Sequence, residues 1–190
     1  MTDMRARSVT FKCIVAAVAV TVGFSLPAVA DEARLDDLFG QLATAETPDA
    51  AMRVEAEIFI EWSKSGSPAV DLLLKRGQDA VAAGDPVLAA EHFTAAIDHA
   101  PYFAEAYHGR ATAYYLSGQI GPAIDDLRQT LILNPRHFGA MRGFAIMLEE
   151  IGREKEALEV YNQVKAINPF DPAVTEATTR LELALDGETL

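Results

Sequence analysis

The chain has a single cysteine, Cys13, in 190 residues, so no internal disulfide can form. Positive charge is also scarce: 16 lysines and arginines face 28 acidic residues, a formal net charge of −12. No basic stripe is available to neutralise phosphates, which excludes nucleic acid as a partner; the acidic balance suits basic or neutral partners. No glycine-rich phosphate loop, paired-cysteine metal site or nucleophile elbow occurs, and no serine falls in a triad pattern. Asp125-Asp126 and Glu149-Glu150 are adjacent carboxylates, but helical neighbours point in different directions, so both pairs read as solvated faces. The expectation is a chain that is not an enzyme, with no catalytic residue, no cofactor and no metal site.

Long apolar runs are also lacking, apart from residues 13–26. That run falls short of the roughly 20 residues a membrane span needs. Arg5, Arg7 and Lys12 precede it, and Pro27 breaks it before Ala28-Val29-Ala30, a small-x-small cleavage site. This order is that of a secretory signal over residues 1–30, cleaved after Ala30. Arg5 and Arg7 are not adjacent, which disfavours a twin-arginine route, and Cys13 is misplaced for a lipoprotein. Losing Arg5, Arg7, Lys12 and Asp3 leaves 13 basic and 27 acidic residues, a net of −14, and no cysteine. An acidic, cysteine-free, exported chain fits the periplasm, with no stable membrane span after processing.

What the sequence does have is repetition. Gly84, Gly118 and Gly152 lie 34 residues apart, as do Ala89, Ala123 and Ala157, and Pro101, Pro135 and Pro169. Three landmarks in one register indicate a stacked helical array. Each glycine suits the left-handed end of a first helix, and a second helix starts two or three residues later. Asp85-Pro86 is an N-cap followed by a first-turn proline, and Pro122 also falls in a first turn. Gly77, Ala111 and Ala145 on the first helices, and the three alanines on the second, are small where helices cross at 8–10 Å.

Tyr107, Ala111, Tyr114, Ala123, Leu127 and Pro135 form one such unit, and Leu73, Gly77, Ala80, Ala89, Phe93 and Pro101 the preceding one. This pattern resembles the tetratricopeptide repeat (TPR), in three copies at 70–103, 104–137 and 138–171. Ala80 and Leu127 depart from the usual aromatics. The resemblance implies an all-α, right-handed superhelical solenoid of antiparallel helix pairs. Residues 31–68 read as two helices, with Thr47-Pro48 opening the second, and form an N-terminal cap over the first repeat or a degenerate repeat: Pro68 falls 33, not 34, residues before Pro101. Trp62 is expected to plug the seam between cap and repeats rather than anchor a ligand. Asp171-Pro172 opens a C-terminal capping helix over 172–186.

The resemblance further implies that the first helices line a concave groove. Helical spacing then puts Leu74, Gln78 and Val81 of the first repeat on that face, with Glu105, His108, Thr112 and Tyr115 of the second and Arg142, Ile146 and Glu149 of the third. Phe103 and His137 end the preceding repeats near it. Leu74, Val81, Tyr115 and Ile146 suit an apolar anchor, and Gln78, His108, Thr112 and Arg142 a peptide backbone. The Lys, Arg and Asn cluster with which the chaperone-binding branch clamps a terminal carboxylate is not matched, since only Arg142 is basic. His108 and His137 have the chemistry of a pH-sensitive or metal-binding pair, but no third ligand is evident. His92 and His99 fall on a second helix, convex or partly packed. The expected function is a periplasmic scaffold or adaptor that binds a protein or peptide; the alternative is a homo-oligomer, a self-associating component of an envelope complex.

Overall fold

The computed structural model describes residues 31–187; the expected signal at 1–30 lies outside them. Nine α-helices make up the described fold: α1 (Glu32–Ala43), α2 (Pro48–Trp62), α3 (Pro68–Ala82), α4 (Pro86–His99), α5 (Ala104–Leu116), α6 (Ile120–Leu133), α7 (Phe138–Glu150), α8 (Glu154–Ile167) and α9 (Pro172–Gly187). None of them is long and apolar enough to cross a membrane. Helices α3 to α8 are three antiparallel pairs stacked into a solenoid, and α9 packs on α8.

The landmark glycines do what their spacing predicts. Gly84, Gly118 and Gly152 have φ of 77°, 73° and 76°. Their amides bond the carbonyls of Val81, Tyr115 and Glu149, and the next residues' amides reach back to Ala80, Tyr114 and Leu148. This double closure is the Schellman motif, which satisfies carbonyls that a helix end leaves without partners. Helix starts follow the local chemistry as well. Thr47, Asp85 and Asp171 accept amide hydrogens of the first turns they precede, each followed by a proline.

Packing between pairs turns on small residues. Ala89, Ala123 and Ala157 are fully buried. Phe93 of α4 is also fully buried and lies against the backbones of both Gly77 on α3 and Gly109 on α5. A methyl group at Gly77 would stand 2.5 Å from the ring. The sequence marks Gly77 as small by repeat position, whereas Gly109 recurs only as Gly143 of the third repeat and is Lys75 in the first. A second tie crosses three helices: Arg110 of α5 donates two bonds to Asp126 of α6, at 2.7 and 2.9 Å, and one to Thr94 of α4 at 3.2 Å. Asp126 is therefore a buried ion-pair partner and not part of a solvated face; Asp125 is exposed.

The N-terminal hairpin is where the structure departs from expectation. Helices α1 and α2 pair with each other, but their apolar side does not lie over the open end of the first repeat. Leu35, Leu38, Leu42, Ile58 and Trp62 join one core with Phe138 and Leu148 of α7, Tyr161 and Val164 of α8, and Val174 and Leu181 of α9. Phe138 is the hub, with ring centroids 5.3 Å from both Phe59 and Trp62 and 6.4 Å from Phe39. At the rim, Arg136 pairs with Asp36 at 2.7 Å, and Asn168 donates to Glu55 at 3.3 Å. The hairpin thus folds back onto the second and third repeats, and Trp62 plugs that seam.

Gly109→Ala should destabilise the protein by about 1–3 kcal/mol, because the added methyl group would overlap the fully buried Phe93 ring and force it to shift. Urea melts of the variant and the native chain check this.

Candidate peptide-binding groove

The twelve side chains expected to line the groove divide into two groups. Leu74 and Phe103 are buried in the core around Phe93, so neither faces a ligand. Glu105 and His137 are also buried, beneath the hairpin. Helical spacing placed Leu74 and Glu105 on the inner side of their helices, and Phe103 and His137 end the preceding repeats near it, but that side is where a neighbouring helix or the hairpin lands. The remaining eight are accessible to some degree. Gln78 is exposed and Val81, His108, Thr112, Tyr115, Arg142 and Glu149 are half-buried, while Ile146 is 39% exposed. Several are engaged. Tyr115 donates to Glu150 at 2.5 Å, Arg142 pairs with Asp171 at 2.6 Å, and Glu149 accepts from Tyr161 at 2.7 Å and Arg180 at 2.6 Å.

The hairpin covers the first turns of α5 and α7 and leaves the later turns open. What survives of the groove begins as a cleft of about 270 Å³ between the end of α2 and the inner helices of the first two repeats. Phe59 and Ser63 form one wall, and Gln78, Val81, His108 and Thr112 the other. Phe59 lies on α2 and Ser63 caps its C-terminus, so sequence periodicity within the repeats had no means of assigning them.

Beneath the hairpin lies a polar group of three. Glu105, His108 and His137 bring one ligand-type atom each to within 4.8 Å of one another. The third member is Glu105, one helical turn before His108, a spacing present in the sequence. His137 is the N-cap of α7, and its Nδ1 accepts the Ala140 amide hydrogen at 3.0 Å. The ring proton therefore sits on Nε2, which donates to Glu105 at 2.7 Å. While that cap holds, Nε2 has no lone pair to give a cation. The group is a hydrogen-bonded His137–Glu105 pair with His108 3.9 Å from the carboxylate, and Trp62 is stacked on the His137 ring at 4.5 Å and 21°.

Burial alone would raise the Glu105 carboxyl, but His108, 3.9 Å away, and the hydrogen bond from His137 outweigh it and bring it from 4.5 to about 2. Burial, with His108 nearby, pushes His137 below its ordinary 6.5 despite the Glu105 bond. Both act in the same direction on stability. A histidine buried neutral costs the native state as pH falls below its unfolded value of 6.5, and an ionised buried glutamate loses its contribution between 4.5 and 2. Stability should therefore fall from pH 7 toward acid. Glu105→Gln keeps an acceptor for His137 without the charge. It should cost about 1–3 kcal/mol at neutral pH and lose the dependence below pH 4.5, read from urea melts across pH.

Comparison with known proteins agrees with this architecture. Residues 74–126 and 108–172 match the family described as tetratricopeptide repeat. A TPR repeat-containing protein of Rhizobium etli is 32% identical over 154 residues, covering 81% of this chain and 76% of the relative. A bovine (Bos taurus) SGT1 homolog is 29% identical over 119 residues, of which the chain spans only 35% of that protein's length. Among solved structures, the first TPR of Spaghetti (RPAP3) bound to the HSP90 peptide SRMEEVD superposes with a TM-score of 0.61 at 22% identity, covering 63% of this chain and 98% of that one. MamA gives 0.57 at 24% identity over 75% of this chain and 80% of its own. The helix pairs, their glycine closures and these matches together show that the chain belongs to the tetratricopeptide repeat family.

Proposed function

We propose that this protein is an exported, periplasmic TPR scaffold that holds a protein or peptide partner in the open part of its inner surface, without catalysis. The observation that carries the reading is the open run from Gln78 and Val81 through Thr112 and Tyr115 to Ile146, which puts polar and apolar side chains side by side on one face. Two TPR structures of similar fold hold peptides, of HSP90 and of HSP70. The HSP90 peptide ends in two glutamates, a valine and an aspartate. The cation on the inner face here, Arg142, is already held by Asp171 at 2.6 Å, so an acidic tail of that kind would have to break a partly buried pair. An uncharged or basic segment with an apolar anchor suits the surface better.

The test is a photocrosslinking residue at Tyr115, with the exposed convex position Glu159 as control, in cells that are then fractionated. A discrete adduct from Tyr115 alone, in the periplasmic fraction, is expected. Adducts from Glu159 alone would move the interface to the convex face, and a cytoplasmic protein would end the export reading. Tyr115→Ala, which removes one hydrogen bond at a half-buried site, should leave the melting temperature within a few degrees of the native value, a loss of about 1 kcal/mol or less, and abolish the adduct made from Thr112.

A further inference from the structure

The N-terminal hairpin meets the repeats across a shared apolar core, and one polar ring, that of His137, sits in the seam. Trp62 lies flat on His137, and the other edges of His137 are committed: Nε2 to Glu105 and Nδ1 to the Ala140 amide. A second proton can enter only at Nδ1. There it would face an N–H instead of a lone pair, so the N-cap of α7 would be lost and a cation created in a site without exposure. The surroundings decide where relief comes from. From α5 the ring meets Glu105 and His108; from α2 it meets the uncharged rings of Trp62 and Phe59. On α1, Glu32 and Asp36 are turned to Arg136, next to His137 in the chain. Helices α5 and α7 are held within their repeats on both sides. The hairpin is the wall that lies outside the repeats, and its polar ties, Arg136–Asp36 and Asn168–Glu55, are an exposed pair and a long bond.

We propose that the Trp62–His137–Glu105 stack is a proton-sensitive latch: neutral His137 clamps the hairpin into the groove, and uptake of a proton releases α1 and α2 together while the repeats stay folded. The depressed basicity of His137 keeps the latch closed at neutral pH and puts its opening on the acid side of 6.5. Release bares the first turns of α5 and α7 and lengthens the inner surface available to a partner. That last consequence rests on the groove reading above; the latch itself does not.

Amide hydrogen exchange of the purified protein without any partner, at about pH 7.5 and about pH 5.5 and corrected for intrinsic rates, tests it. Peptides from α1 and α2 should lose at least about tenfold protection in acid while those from α3 to α6 keep theirs. Emission of Trp62, the sole tryptophan, should move to the red over the same interval. A double variant, Glu105→Gln with His137→Asn, retains a capping side chain but no titrating pair, and its hairpin should be protected equally at both pH values. Unchanged protection of α1 and α2 in the native chain would overturn the latch. So would simultaneous loss from all helices, which is acid unfolding. Should the double variant fail to fold, the native chain's helix-by-helix difference decides the matter. Because no partner is present, failure of the groove reading leaves this result untouched.

Discussion

A helix pair has two apolar sides and can cover only one of them with its own partner. Everything else in this structure follows from where the second side goes. Between repeats it goes to the next pair, and the close fit there is set by residues that lack bulk. Phe93 penetrates between α3 and α5 because Gly77 and Gly109 present backbone where other residues would present a Cβ. At the far end it goes to α9, whose Val174, Ala177 and Leu181 close the third pair. Three pairs and a closing helix satisfy the stacking requirement along the axis.

The inner curve is a separate surface, and axial stacking does not cover it. Here the chain covers part of it with its own α1 and α2, through an aromatic cluster of Phe39, Phe59, Trp62 and Phe138. This covering has an electrostatic consequence. It encloses Glu105 and His137, groups that would be solvated in an open groove, and makes each the other's hydrogen-bond partner. A polar pair sealed in this way is favourable only in one protonation state, so the docking of the hairpin and the charge on the pair become linked quantities.

The same enclosure divides the groove by function. Its first turns are structural, with bonds already made; its later turns, around Thr112, Tyr115 and Ile146, still face water. Arg142 and Glu149 stand at the border, half-accessible but bonded to Asp171, Tyr161 and Arg180. A ligand there competes with existing pairs, whereas one near Gln78 and Thr112 does not have to displace an ion pair.

By itself, the sequence determined the repeating units. Helix ends depend on residues within a few positions of one another, so Gly84, Gly118 and Gly152 closed their helices as their spacing required, and Asp85-Pro86 and Asp171-Pro172 opened theirs. Contacts between adjacent pairs were also legible, because a fixed period repeats the same neighbour relation at Ala89, Ala123 and Ala157. The position of α1 and α2 was not. Amphipathicity shows that Leu38 and Trp62 must be buried, but not against what, and the partners turned out to be Phe138, 100 positions after Leu38, and His137, 75 positions after Trp62. For the same reason Glu105 and His137 read as groove residues and proved to be sealed: helical spacing gives the direction a side chain points, and only the tertiary structure decides what stands in front of it.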